Sequence, residues 1–488
     1  MSVVGIDLGA RGMTVAQAGR GGIDIIRNEN SNYSSLVAVA IQGKERFLGD
    51  AAAPLLRSGN CAQQLKMLLG RDYEDQELQE EVATFGHATL AQRSGFSAGI
   101  VMEYGEERKV FSAPEVTAML LVKAQRLIAG AATSGKARGD AVVGVPSWFT
   151  IPQRRAVLDA CALSGIAPLQ LMPEGSAVAL GYGFFRDAKE PFPADKDSHV
   201  LFVDMGYSHV TATVAAYRNG KCVILGMAST LEAGGRWMDA KLAKLLADRF
   251  SEQNGGLDCW GKPKARKRLL ELAERIKTTL SPYGVDQAPA SVECLTDDRD
   301  LRGDVTLAEF EQVIEPVVEA IRAPVREALR LAGLKSSDLS KTEIVGGCSR
   351  VRAARRVLAL ELGMTLDEPN GHGFGTSLNA DEAVARGLAL RCAQLSPLFK
   401  VKDYDFADRV PRAVRLSWDA SPAEEGGADD AAAAAAAASG EEGSATPSAS
   451  AGKAGSNIIF GVGDPCPVVR RTTFRRTKDF CVHVSYTD

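Results

Sequence analysis

The chain has 488 residues, with 57 Lys and Arg against 61 Asp and Glu, a formal net charge of −4 and 45% hydrophobic residues. That length allows two to four domains with large cores, and the balanced charge excludes the basic footprint of a nucleic-acid or acidic-membrane partner. Nine cysteines without a CxxC pair, five histidines without ligand spacing and no bilayer-length apolar run exclude a zinc site and a membrane span, and point to reduced thiols in the cytoplasm, with the nucleus as a second compartment.

In chain order, the first element is a hairpin. VVGIDLGARGMTVAQA carries an apolar run to Asp7 and a glycine turn, and a second β-rich run leaves it. Residues 21 to 52 alternate apolar and polar residues between turn signals and should continue as strands, after which residues 50 to 70 switch to helical spacing and stop at Gly70. Lys66 lies there and reads, from its neighbours alone, as a solvated face residue. APEVTAMLLVKAQRLIAGA (113 to 131) predicts a helix. DAVVGVPSWFTIPQRRAVLDACALSGIAPLQLMPEGSAVALGYG predicts a buried strand, a helix from Pro152 to Ser164, a strand Leu169 to Met172 and a helix from Glu174, which is the α/β pattern. Glu174 reads as a helix-start carboxylate or as a group facing a cleft.

HVLFVDMGYSHVTATVA (199 to 215) then repeats the opening: Val203-Asp204-Met205-Gly206 matches Ile6-Asp7-Leu8-Gly9, and a threonine follows each aspartate by seven residues, Thr14 and Thr211. One such hairpin is an ordinary Asp turn. Two imply a duplicated domain whose halves bring Asp-Gly turns to one cleft, with backbone N–H groups for phosphate oxygens and aspartates for a hydrated Mg²⁺. Gly234-Gly235 leads into an amphipathic helix. The basic helix 262 to 281 has a solvated face, with only Glu274 and Lys277 open to a ligand. Strand 343 to 345 meets Gly346-Gly347, a close-approach turn, and residues 377 to 395 form a last helix whose first turn holds Asp381 and Glu382. Residues 420 to 456 have no aromatic residue and an eight-alanine run, the composition of a disordered tether. NIIFGVG, VVRRTTF and FCVHVSY then read as three strands, which need the strands before the tether, or a partner, to complete a sheet.

GIDLG, LKMLLGR, VPSWFTIPQRRAVLDA, EGSAVALGYG, FVDMG, EIVGGCSR and SLNADEAVARGLALRCAQLSPLFKV together resemble the heat-shock protein 70 superfamily, and its 110-kDa branch more than the 70-kDa chaperones. The resemblance implies an α/β, actin-like two-lobed nucleotide-binding domain with duplicated α/β subdomains, plus an incomplete β-sandwich at the C-terminus. The implied division is 1–393 for the nucleotide-binding domain (lobe I 1–195, lobe II 196–376, closing helix 377–393), 394–419 for a linker and first sandwich strand, 420–456 for the loop and 457–488 for a partial substrate domain. It implies ATP and Mg²⁺ as ligands. Asp7 and Asp204 would be metal-shell carboxylates acting through waters, Lys66 a phosphate-side cation, and Glu174 a neighbour of the metal's waters. Gly9, Ala10, Arg11, Gly206, Tyr207, Gly234 and Gly235 would form phosphate-approach turns, Glu274 and Lys277 border the ribose, Gly346, Gly347 and Arg350 the adenosine, and Asp381 the far wall.

Departures from the 70-kDa pattern are Ala10 for a hydroxyl, Tyr207 and Ser208 for glycines, His209 for a threonine, Thr211 for an aspartate of hydrolysis, and Thr278 for a basic residue at the adenine. Lost transition-state donors cost about 10² to 10³ in rate each, so binding survives better than turnover and any ATPase is weak. The implied role is nucleotide exchange on a 70-kDa heat-shock chaperone, with unfolded polypeptide clients as further partners. A self-sufficient ATPase chaperone, a passive holdase and, distantly, a sugar kinase are the alternatives. No helical lid follows Asp488, which reads as a shortened chain or a fragment.

Overall fold

The run Val3 to Ile6 is apolar throughout apart from Gly5, and such a run has to be covered on both faces. It forms the strand Val3–Leu8, antiparallel to Gly12–Gly19 and parallel to Asp140–Val145. Neighbouring strands follow in the order Pro168–Pro173, Asp140–Val145, Val3–Leu8, Gly12–Gly19, Gly22–Ile25. The second half repeats this plan, with Ser198–Met205 antiparallel to Val210–Arg218 and parallel to Lys341–Val345. In each hairpin the aspartate faces its threonine across the strands, Asp7 with Thr14 and Asp204 with Thr211. The repeated spacing in the sequence is therefore a repeated register.

In the computed structural model the described residues are 3–19, 21–86, 88–93, 97–131, 140–367, 370–397, 399–419, 454–466, 468–474 and 479–487. They fall into two units, Met1–Phe406 and Ala407–Asp488. The first is an actin-like α/β arrangement of the two duplicated halves. Its helices are α1 Gln76–Phe85, α2 Ala113–Ala131, α3 Ile151–Ser164, α4 Glu174–Asp187, α5 Gly235–Gln253, α6 Pro263–Leu280, α7 Leu307–Glu319, α8 Arg322–Ala332, α9 Arg352–Glu361 and α10 Ala383–Leu395. Among the described residues no helix is long and apolar enough to cross a membrane. Cys61, Cys161, Cys222, Cys259, Cys348 and Cys392 are buried and outside any disulfide, while Cys294, Cys466 and Cys481 are exposed.

The halves meet where α10 crosses α4, and the crossing is close because its contact residues lack side chains. A Cβ on Gly387 would lie 1.9 Å from Ala177 O, and one on Gly5 would lie 2.3 Å from Ala389 N. Helix α10 thus bears on the first aspartate strand and on the helix that starts at Glu174. A second link is Arg236 at the start of α5, fully buried, whose Nη2 donates to Glu81 Oε1 of α1 at 2.6 Å. Phe85 and Trp237 flank its guanidinium at 5.0 and 5.3 Å.

Several expected elements differ. Residues 50 to 70 hold a 3₁₀ segment Gly49–Ser58 containing Pro54, then the strand Cys61–Gln63, not a continuous helix. Pairing of Cys61–Gln63 with Ala38–Gln42 overrides the local helical spacing. The last helix begins at Ala383, not at 377, because the Asn379 side chain accepts the Asp381 amide at 3.0 Å and its carbonyl accepts the amides of Glu382 and Ala383. That turn leaves Asp381 outside the helix. The basic face of α6 is not simply solvated: Arg57 pairs with Glu271, and Lys267 donates to Leu56 O at 3.1 Å.

In the Ala407–Asp488 unit, Val414–Trp418 is the central strand between Gly455–Phe460 and Val482–Tyr486. The strand before the tether thus completes the sheet. VVRRTTF, expected as a strand, is irregular, since both edges of the central strand are already taken and Val469 is exposed. The expected disorder of 420–456 falls almost wholly outside the described residues, and Gly455 and Ser456 belong to a strand.

Candidate functional site

Each aspartate hairpin ends in a turn whose geometry depends on glycine. Gly9 lies so close to Gly12 that a Cβ would be 2.5 Å from Gly12 O, and Gly206 donates to His209 O at 3.0 Å across the second turn. Behind the second turn, Gly234 adopts φ +140° with the Tyr207 carbonyl 2.8 Å from its missing Cβ, and Gly235 N donates to Gly206 O at 3.1 Å. Gly346, at φ +81°, lies against Asp204: a Cβ there would be 2.4 Å from Asp204 Oδ1.

These turns surround one cavity of about 700 Å³. It is lined by Asp7, Gly9, Ala10, Arg11, Glu174, Asp204, Gly206, Tyr207, Glu274, Lys277, Gly346, Gly347, Arg350 and Asp381, all singled out in the sequence. The remaining three do not line it. Lys66 is buried behind Glu174, and Gly234 and Gly235 support the turn from below.

The charge distribution is uneven. Glu174 binds the Lys66 ammonium through Oε1 and meets His209 Nε2 through Oε2 at 3.2 Å. Burial alone would raise its pKa, but Lys66 and His209 outweigh burial and hold it at about 2. His209 Nδ1 in turn meets Ser208 Oγ at 2.9 Å. The side chains of Asp7 and Asp204, by contrast, take part in no hydrogen bond or ion pair among the described residues. Burial pushes Asp7 up to about 7, with Glu174 and Asp204 adding to it against Lys66. Burial likewise lifts Asp204 to about 6, with Glu174 adding and His209 and Lys66 opposing.

Two neighbouring half-buried carboxylates that no side chain pairs directly among the described residues are what a divalent cation would correct. Among the described residues no group of three or more His, Cys, Asp or Glu could hold a metal directly, so Asp7 and Asp204 fit a cation that keeps most of its waters. Such an ion would supply charge neutralisation for phosphate oxygens. Thr211, opposite Asp204, belongs to a neutral chain of hydroxyls, with Thr211 Oγ1 and Ser147 Oγ each 2.8 Å from Ser229 Oγ.

At the other end, Arg11 Nε and Nη2 donate to the two oxygens of Glu274, each at 2.9 Å. Lys277 Nζ lies 2.8 Å from Asp239 and donates to Gly235 O at 3.1 Å. Burial would lower Lys277, but Asp239 outweighs it and raises it. Arg350 makes two bonds to Asp381, at 3.0 and 2.6 Å. Asp239 was missed in the sequence, although it lies four residues after Gly235 and so shares its helix face. The Ser147–Ser229 pair left no local signal.

Residues 3–432 match the family model described as Hsp70 protein. The chain is 33% identical over 492 residues to heat shock 70 kDa protein 14 of Arabidopsis thaliana, covering 100% of this chain and 54% of that protein. It is 36% identical over 430 residues to heat shock 70 kDa protein 4 of Homo sapiens, covering 87% of this chain and 49% of that one. With heat shock protein hsp88 of Neurospora crassa the identity is 33% over 490 residues, covering 100% and 63%. The chain therefore spans about half the length of the first two relatives.

Proposed function

The chain belongs to the Hsp70 protein family, on the 110-kDa side that its motifs resemble, and from that premise we propose that it binds ATP with Mg²⁺ between its two aspartate hairpins and serves as a nucleotide-exchange factor for a 70-kDa heat-shock chaperone. Residues 1–393 are the nucleotide-binding domain on this reading, and the strands around the tether are a partial client domain. The observation that carries it is the pair Asp7 and Asp204, half-buried, their side chains without a hydrogen-bond or ion-pair partner among the described residues, and both lining one cavity of nucleotide size.

Exchange, more than consumption, follows from what surrounds that pair. Thr211 offers a hydroxyl engaged with Ser229, and His209 is engaged on both ring nitrogens by Glu174 and Ser208. Neither is free to take a proton from an attacking water. ATP then acts as a conformational ligand that fixes the two halves in the shape the partner recognises. The test is the rate of ADP release from a 70-kDa chaperone. The ATP-loaded protein should accelerate it and the nucleotide-free protein should not; no acceleration by the loaded form rejects the role.

A client-holding activity is a second reading, supported by exposed Ile458, Val482 and Val484 on the Ala407–Asp488 sheet. Suppression of client aggregation without nucleotide would favour it.

A further inference from the structure

The two tyrosines that line the cavity differ in what their rings already hold. Tyr207, in the second hairpin turn, has the Arg11 guanidinium 6.0 Å and the Lys277 ammonium 5.5 Å from its ring centroid. Tyr283 is 65% exposed, and among the described residues its hydroxyl has no hydrogen-bond partner and its ring no aromatic neighbour. The Arg352 guanidinium lies 5.9 Å from its centroid. A large aromatic ring left in water costs hydrophobic free energy that a flat ligand face would recover.

The backbone beneath that ring is held. Tyr283 follows α6, between Pro282 and Gly284, whose φ is +87°. Arg352 of α9 donates from Nη2 to Leu280 O at 3.4 Å and to Val285 O, and pairs with Asp286 at 3.3 Å. Leu307 N donates to Asp286 O at 2.8 Å. Both ends of the segment are thus clipped, and the tyrosine side chain between them is not.

Its place along the cavity identifies what it would meet. Glu274, Lys277, Thr278 and Ser281 line the cavity from one face of α6, so the helix runs along it, and at 1.5 Å per residue Ser281 lies about 10 Å beyond Glu274. Glu274 is tied to the first hairpin turn by Arg11, and the chain leaves α6 for Tyr283 at the opposite end of that run. A nucleotide with its phosphates at the hairpins therefore carries its base toward Tyr283. Thr278 and Ser281 have little to donate to that base, because their hydroxyls donate to the α6 carbonyls of Glu274, Arg275 and Lys277. What this wall offers is a ring face.

We propose that Tyr283 is the base-stacking residue of the cleft: its ring turns from solvent onto the face of the bound base and closes this end of the site. The inference rests on the nucleotide reading of the cleft and deepens it. Every base presents a π face, so the stack adds a similar increment for any of them. Tyr283 then sets affinity for nucleotides as a class over bare polyphosphate, and not for one base over another.

The experiment is calorimetry on the full chain with ATP–Mg²⁺, GTP–Mg²⁺ and tripolyphosphate–Mg²⁺, for the wild type, Tyr283→Ala and Tyr283→Phe. Tyr283→Ala should weaken ATP and GTP by the same factor, about 5- to 150-fold for a lost base–aromatic stack, and leave tripolyphosphate unchanged. Tyr283→Phe, which keeps the ring, should bind both nucleotides within about twofold of the wild type. Because the side chain is exposed, both variants should melt with the wild type. Unchanged ATP affinity in Tyr283→Ala, a loss confined to one base or shared by tripolyphosphate, or Tyr283→Phe as weak as Tyr283→Ala would each overturn the proposal while the cleft reading stands. A wild type that binds no ATP would reject the cleft reading and the proposal together.

Discussion

Replacing Asp204 with Asn separates the cleft's stability from its function. The folded-state pKa of Asp204 lies at about 6, above its ordinary 3.8, chiefly through burial. The folded state therefore holds this proton more tightly than the unfolded one, and the stability that the protonated form contributes is lost as pH rises through 6. From the two values the raised pKa removes about 1 kcal/mol of stability at pH 4.5, where mainly the unfolded state is ionised, and about 3 kcal/mol at pH 8, where both states are. Asn has the same shape and no charge to desolvate, and it also removes one of the repulsions on Asp7. Asp204→Asn should therefore make the unliganded protein more stable than the wild type at pH 8, by an amount approaching about 3 kcal/mol, with the gap narrowing to about 1 kcal/mol at pH 4.5. ATP–Mg²⁺, which stabilises the wild type in proportion to its binding, should no longer shift the variant's urea midpoint. Urea titrations at the two pH values, with and without nucleotide, measure all of this. An unliganded variant less stable than the wild type at pH 8, or equally stabilised by ATP–Mg²⁺, would refute the reasoning.

Other substitutions test neighbouring parts. Lys66→Met leaves Glu174 buried with only His209 beside it, so urea denaturation should show a loss of about 3 to 5 kcal/mol, and calorimetry should show no ATP binding. Arg236→Ala strands Glu81 between α1 and α5 and should cost about 3 to 5 kcal/mol in the same assay. Thr211→Asp places a carboxylate where Ser229 Oγ can donate to it, and single-turnover ATP cleavage should rise at least about tenfold, at the expense of stability in urea because a further buried charge joins Asp204.

The fold was legible where local pattern and tertiary role agree. An apolar run ending in Asp-Gly, met twice with a threonine at the same distance, encodes a register as well as a hairpin, because antiparallel pairing turns sequence distance into opposition across strands. Helices α2, α3, α5 and α6 followed from spacing and glycine or proline punctuation. What spacing could not supply was contact between distant segments. The helical pattern after Asp50 yields to pairing with Ala38–Gln42, and α10 starts late because Asn379 captures its first amides. For the site, local reasoning alone left Lys66 on a solvated face, whereas its burial on Glu174 depends on a residue 108 positions away. The Arg11–Glu274 bridge is hidden for the same reason. Each partner looks like a solvated charge until the halves come together.

The same long-range convergence explains why, on the proposed reading, the cleft holds a triphosphate and cuts it poorly. Holding requires charge neutralisation in the ground state, which a cation held by Asp7 and Asp204 would supply, with Lys66 offsetting Glu174 behind them. Cutting requires in addition a group that gains favour only as the attacking water loses its proton. The two carboxylates whose pKa values lie close to neutrality, Asp7 at about 7 and Asp204 at about 6, are the ones a cation would claim. Once it does, their affinity for protons falls and neither remains a base. Glu174 at about 2 is too acidic to replace them, and Thr211 and His209 are committed to neighbours. Each of these groups is thus committed, to a neighbour or to the ion it would hold, which on this reading is the condition for a nucleotide that sets a shape and stays.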